Sequence, residues 1–173
     1  MSISKKLENP YTGSNPPSNL YVGRVWHEIT VAGLYIGSWV WNGTYWLSLQ
    51  TFKEDVTTTL GNTVSNVVFD LDPASNILLT GINASVQCNV LATATVNWGW
   101  SLSRINSTGV STSLATGNNI GQPANTWQNF NTPLNIHVNL AATGAKGIRY
   151  LDIRTGNISK AGTISFTYRK ARI

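Results

Sequence analysis

The chain has 173 residues, enough for one full domain with a short appended module. Only 11% of its residues are charged, against about 25% in typical soluble domains. Asn, Thr, Ser and Gly make up the difference, and no window has a convincing helical period. This composition is typical of β-structure with turn-rich connections, and it excludes a helical protein or an acidic disordered tail.

The net charge of +5 is concentrated near the end of the sequence, where Lys146 to Arg172 hold seven bases and one acid, Asp152. A basic end of this kind attracts nucleic acid or anionic polysaccharide. We instead interpret these bases as solvent-facing strand residues, since strand edges often carry Lys and Arg. No RNA-recognition or zinc motif accompanies them, so we expect no nucleic-acid partner.

The single cysteine, Cys88, excludes an intramolecular disulfide and a cysteine-based metal site. We expect it to be a small buried hydrophobe. The first ten residues lack an apolar signal core, and no stretch approaches the ~18 apolar residues of a membrane span. We therefore expect a chain that is made in the host cytoplasm and does not insert into a membrane.

Residues 1–20 carry three prolines and a glycine among small polar residues. Proline cannot donate to a backbone ladder, so this segment cannot form a helix or an internal strand. We interpret it as an extended N-terminal attachment arm, with a disordered tail as the alternative. Tyr11 and Leu20 are the apolar side chains with which such an arm would contact a partner.

Residues 21–52 form an aromatic β-hairpin module in which Asn42-Gly43 predicts a two-residue type I′ turn. A preceding strand, Y-V-G-R-V-W-H-E-I-T, makes the module three-stranded. Alternation predicts one face with three tryptophans and another with Val40, Tyr45 and Leu47. So small a sheet cannot cover two apolar faces. We therefore predict an oligomer or partner interface formed by Trp26, Trp39, Trp41, Tyr45, Trp46, Tyr11 and Leu20.

Residues 53–61 are interpreted as a linker, and residues 62–173 contain eight short segments with polarity on one side. This spacing predicts an all-β fold whose larger part is an antiparallel, jelly-roll-like β-sandwich head domain. Trp98 and Trp100 alternate with polar residues in one long segment and are predicted to be core. A long polar loop is predicted over 117–131.

The polar loop offers a candidate ligand site around Trp127, because exposed aromatic rings stack on sugars and amide side chains bind hydroxyl groups. A tryptophan in such a loop is either a surface anchor or a plug that caps the sandwich. The predicted ligand-binding residues are Trp127, Gln122, Asn125, Gln128 and Asn129.

Catalysis has little support in the sequence. The chain has seven acids, and Asp70 and Asp72 precede a proline, where capping a turn explains them better than paired acid–base chemistry. His27 and His137 belong to no nucleophile elbow or metal-binding motif. We expect a protein that is not an enzyme, with no catalytic residues, no metal and no cofactor.

Residues 21–49 contain Y-V-G-R-V-W followed by W-N-G-T-Y-W. This pattern resembles a G-x-x-W … W-[ND]-G-x-x-W hairpin module of bacteriophage tail-fibre and other virion appendage proteins, in a form similar to cyanophage proteins. The usual Asp-Thr-Ser linker of the module is replaced here by H-E-I-T-V-A-G. The resemblance implies a structural or receptor-binding virion protein, a homotrimer, and no catalytic residue.

Three hypotheses follow. The first is a non-enzymatic tail-fibre or appendage subunit whose arm binds other virion proteins, whose aromatic module forms a trimeric neck, and whose head contacts a host-surface glycan or neighbouring subunits. The second is a capsid decoration or head-fibre protein. The third is a stand-alone carbohydrate-binding module in which the hairpin tryptophans stack on sugars.

Overall fold

A computed structural model describes residues 9–58, 66–70, 76–106, 108–140 and 145–172, without the side chains of 58, 66, 70, 145 and 146. The described residues contain twelve β-strands and no helix, which confirms the all-β class. Accordingly, none of them forms a helix able to span a membrane. The chain divides into two compact units: a first unit of residues 1–51 with 170–173, and a second unit of residues 52–169.

The first unit consists of four strands and the end of a fifth. They are β1 (Tyr11–Gly13), β2 (Val25–Ile29), β3 (Tyr35–Trp41), β4 (Trp46–Ser48) and the last residues of β12 (Lys160–Arg172). In this order they are neighbours, with β1 parallel to β2 and the other pairs antiparallel. The predicted three-stranded module therefore gains a strand on each side. One of these, β1, comes from the proline-rich segment and lies at the sheet edge, where proline is tolerated.

The turn between β3 and β4 differs from the predicted two-residue type I′ turn. Trp41 pairs with Trp46, so the loop contains four residues. The side-chain oxygen of Asn42 accepts hydrogen bonds from the amides of Thr44 (2.9 Å) and Tyr45 (2.7 Å), and within the turn Gly43 has the positive φ, 104°. The Asn42 side chain thus closes a wider turn. Because the register moves by two residues, the predicted face of the tryptophans is kept.

The described residues of the second unit form eight strands in two sheets. They are β5 (Phe52–Thr58), β6 (Asn66–Asp70), β7 (Asn76–Cys88), β8 (Asn97–Asn106), β9 (Ser111–Asn119), β10 (Gln128–Asn139), β11 (Ala145–Thr155) and β12. One sheet has the order β5-β12-β7-β10, and the other β6-β11-β8-β9. Consecutive strands lie in opposite sheets except the β8–β9 hairpin. This is the strand order of a jelly roll, so the predicted architecture is confirmed.

Three element boundaries differ from the prediction. Residues 53–58 of the predicted linker lie in β5, whose half-buried Phe52 and buried Val56 share one face, with the exposed Lys53 and Asp55 on the other. The eight predicted segments include N-I-L-L-T-G-I and N-A-S-V-Q-C-N-V as separate strands, but these two form the single strand β7. The predicted loop over 117–131 is shorter, because β9 runs to Asn119 and β10 begins at Gln128. In each case pairing with a distant strand extends the element beyond what local composition favours.

The core of the second unit lies between its two sheets and contains the residues predicted for it. Trp98 and Trp100 are 2% and 7% exposed, and Cys88 is fully buried, as predicted. The sheet around β12 and β7 is closely packed. At Gly162, where φ is +142°, a β-carbon would lie 2.1 Å from the carbonyl oxygen of Ser85, so only glycine fits there.

Candidate functional site

The aromatic cluster of the first unit is formed by Trp26, Trp39, Trp46 and Trp41. Trp26 contacts Trp46 edge-on, with ring centroids 5.6 Å apart, and lies 6.4 Å from Trp39. Trp41 lies 5.6 Å from Trp46. The indole N–H of Trp26 donates to the carbonyl of Gly13 at 2.9 Å, which ties β1 to the cluster. Edge-to-face and tilted packing of this kind stabilises aromatic cores.

A charged pair completes this cluster. Glu28 is buried, and its carboxylate accepts a hydrogen bond from the indole N–H of Trp39 at 3.0 Å. The guanidinium of Arg172 pairs with the other carboxylate oxygen and lies 4.7 Å from the centre of the Trp39 ring. The same cation is therefore held by an ion pair and by a cation–π contact.

The predicted partner interface needs a correction for three of its residues. Trp26, Trp39 and Trp46 are at most 6% exposed within a single chain, so they form core and are not available for contacts between chains. Their burial also leaves no ring face on which a sugar can stack. Trp41 and Tyr45 are half-buried, and Tyr11 and Leu20 are 37% and 48% exposed. The interface prediction stays open for these four residues.

The five residues of the predicted ligand site around Trp127 do not all lie at the surface. Gln122 is 1% exposed. Its amide oxygen accepts hydrogen bonds from the indole N–H of Trp98 and the side-chain amide of Asn119, and its amide nitrogen donates to the carbonyl of Val86 at 2.7 Å. Because these hydrogen bonds use both polar atoms of the Gln122 side chain, they hold the loop against the core. Gln122 is therefore a structural residue and is removed from the ligand set.

The other four predicted ligand residues lie at the surface or partly so. Trp127 is 56% exposed, which identifies it as a surface aromatic and not a plug of the sandwich. The Asn125 backbone has a positive φ of 54°, which asparagine adopts more readily than most residues, and its N–H donates to the carbonyl of Cys88. The conformation of the loop therefore explains why asparagine occurs at this position. Asn129 is exposed and Gln128 half-buried.

Asn129 belongs to an open groove on the outer face of the sheet β5-β12-β7-β10, which we call the polar groove because most of its lining side chains are amides or hydroxyls, although apolar atoms form most of its exposed surface. The groove has a volume of about 470 Å³, and its polar lining includes Lys53, Asn83, Ser85, Asn129, Asn131 and Thr163. Sequence reasoning missed all of these except Asn129. The alternation of polar residues on each of the four strands could have indicated an outward polar face. The order in which the strands pair, which brings these residues together, cannot be predicted from local sequence.

The basic end of the chain does not lie entirely at the surface, which corrects a prediction. Lys160 and Arg154 are core residues that both contact Asp152 Oδ2, Lys160 Nζ at 3.1 Å and Arg154 Nη2 at 3.0 Å. Lys160 Nζ also lies 5.4 Å from the Trp98 ring centre. Burial lowers the pKa of Lys160, while Asp152 opposes this effect, and burial raises the pKa of the nearby Cys88 thiol. These three charged side chains form an ion-pair network inside the sandwich.

The two histidines lie in different units, His27 in the first and His137 in the second. His27 Nδ1 lies 2.7 Å from the Ser38 hydroxyl on the neighbouring strand. Burial lowers the pKa of His137. The described residues hold no group of three or more metal-ligating side chains. The side chain of Asp70 and the whole of Asp72 lie outside the described residues.

No family model matches the chain, and no curated protein matches it. Solved structures similar to it include that of infectious bursal disease virus, Gx strain, with 11% identity over 79% of this chain and a TM-score of 0.42. A VP2 subviral particle of the same virus matches with 10% identity over 90% of this chain and a TM-score of 0.39. The chain covers 42% and 45% of those chains, less than half their length. Likeness at this level carries no conclusion about function.

Proposed function

We propose that the chain is a non-enzymatic structural protein of a bacteriophage virion, a short tail-fibre or appendage subunit. On this proposal the first unit assembles with copies of itself into a homotrimer and with other virion proteins. The jelly roll of the second unit faces outward, toward a host-surface glycan. Jelly rolls are used by both capsid and lectin domains, and the aromatic module resembles those of tail-fibre proteins.

One observation carries the assembly part of the proposal. The hairpin tip between β2 and β3 and the first two residues of β3 expose apolar side chains: Val31 is 97% exposed, Leu34 68%, Tyr35 67% and Ile36 49%. Tyr11 and Leu20 add further exposed apolar surface to the same unit. Exposed apolar patches of this kind mark protein contacts, because monomeric proteins rarely leave them open to water.

Sedimentation velocity on the full chain tests this part. We expect a trimer for the wild type, and a shift to monomer for Val31→Asp combined with Leu34→Asp, since a charge in an apolar contact is not compensated. Val110→Asp is the matched control, because Val110 is 62% exposed in the second unit and should leave the trimer intact. A wild-type monomer would contradict the assembly proposal.

The location in the virion is tested separately. Peptides of this chain should appear in mass spectra of purified particles, and gold-labelled antibodies should mark the tail. Labelling of heads would favour the capsid decoration alternative, and absence from particles would favour a free carbohydrate-binding module.

A further inference from the structure

The polar groove has a regular construction. Asn131 lies opposite Asn83, and Asn129 lies opposite Ser85, on the antiparallel pair β10–β7. On the β12 side, the Ser165 hydroxyl donates to the carbonyl of Asn83 at 3.3 Å. The outer face of the sheet thus carries rows of amide and hydroxyl groups, separated by about 6.8 Å along each strand and by about 4.8 Å between strands.

The rows are chemically neutral. Among the described residues of the lining, the one cation is Lys53, and it is paired with Asp55 at 2.9 Å, so the charge of these residues is balanced. Among the described residues, the side chains of Asn129, Asn131 and Ser85 make no hydrogen bonds. Their amides and hydroxyl remain available to a ligand that both donates and accepts hydrogen bonds.

Trp127 lies close in sequence to this surface. It directly precedes β10, and its indole is 56% exposed. Asn129, two residues further on, is the first residue of β10 that lines the groove. The strand that carries the amide row is therefore preceded by an exposed aromatic ring.

We infer that the outer face of the sheet β5-β12-β7-β10 is the binding groove for a neutral oligosaccharide, with Trp127 as stacking platform and Asn129, Asn131 and Ser85 as hydroxyl-binding groups. A sugar ring presents an apolar face to an indole and a rim of hydroxyl groups that both donate and accept. An anionic glycan would require unpaired cations in the lining, and Lys53 is paired. The inference rests on the proposed role of the second unit as a host-binding head.

The test uses the full chain on an array of neutral oligosaccharides, followed by titration of the strongest binder by isothermal titration calorimetry, a signal that does not depend on Trp127. We expect Trp127→Ala and the double variant Asn129→Ala/Asn131→Ala each to weaken binding by about tenfold or more, the effect of losing one or two net hydrogen bonds or a stacking contact. Asn118→Ala is the matched control, because Asn118 is an exposed strand asparagine on the other sheet. It should bind as the wild type does.

Each outcome is decisive. No binding to any neutral glycan, or binding that these variants leave unchanged, overturns the inference while the trimer and its presence in virions still support the proposed function. Glycan binding by a monomeric chain absent from particles supports the groove and overturns the virion role. If the groove variants change the oligomeric state without affecting a bound sugar, the surface is a contact between copies, which also overturns the inference.

Discussion

The two units of this chain use buried charge in different ways. In the first unit, the pair Glu28–Arg172 borders the tryptophan cluster, and the Arg172 side chain is still 45% exposed. In the second unit, Asp152 and Lys160 are fully buried, and the Arg154 side chain is 7% exposed. A partly solvated pair contributes little to stability, whereas the removal of one member of a buried network leaves charge in the core. The same type of contact should therefore be critical in one unit and minor in the other.

The units also differ in what forms their cores. The second unit buries apolar side chains from both sheets, including Trp98, Leu102 and Phe166. The first unit depends on three fully packed tryptophans with Trp41 against them. A core with so few members has few alternative contacts to compensate for a loss. A single truncation there should affect the whole unit.

The largest effect is expected for Asp152→Ala. It removes the carboxylate that Lys160 and Arg154 both contact inside the sandwich. We expect a loss of about 3–5 kcal/mol in the free energy of unfolding, measured by urea denaturation. Lys160→Met is the control, since it leaves the pair Asp152–Arg154 and conserves volume, and should cost less than about 1.5 kcal/mol. Equal losses for the two variants would contradict the explanation that the larger loss comes from two cations left without their carboxylate in the core.

Trp26→Ala should lower the stability of the first unit by about 3 kcal/mol, because it removes a 1% exposed ring that contacts Trp39 and Trp46. Hydrogen exchange should increase in β2 to β4, while the amides of β7 and β8 stay protected. Loss of protection in both units would show that they unfold together. Trp127→Ala is the control, since Trp127 is an exposed tryptophan of the second unit.

Arg172→Ala tests the pair in which only the cation is partly solvated, since the Glu28 carboxylate is buried and keeps its hydrogen bond from the Trp39 indole. Its guanidinium contacts Glu28 and the ring of Trp39, but nearly half of the side chain is exposed to water. We expect a loss of about 1 kcal/mol in the free energy of unfolding, reduced further by high salt. A loss comparable to that of Asp152→Ala would mean that this pair is as critical as the buried one.

The sequence predicts the parts of this fold that depend on local alternation. It identifies the sandwich, the core positions of Trp98 and Trp100, and the common face of the hairpin tryptophans. It does not predict the partner of a polar side chain. From the sequence, Gln122 is predicted to bind a ligand from a loop, but in the structure it is bound to the indole of Trp98. Lys160 is predicted to face solvent, but its ammonium lies 3.1 Å from Asp152 in the core. Trp98 and Gln122 are 24 residues apart, and Asp152 and Lys160 lie on strands of different sheets, so local patterns carry no information on either pair.

The smallest effect concerns pH and also separates the two units. Burial holds the pKa of Lys160 below its usual 10.5. Between the lowered pKa and 10.5 the unfolded chain therefore binds more protons than the folded chain, so the free energy of unfolding rises with pH in this range. Burial raises the pKa of Tyr168 to about 12 and also raises the pKa of Tyr150. Above pH ~10 the folded state therefore keeps phenol protons that the unfolded chain loses, so the free energy of unfolding falls as the pH rises. All three groups belong to the second unit. Lys160→Met should remove the rise and keep the fall in urea titrations between pH 7 and 11, whereas Arg172→Ala should keep both. An unchanged rise in Lys160→Met would assign it to another group.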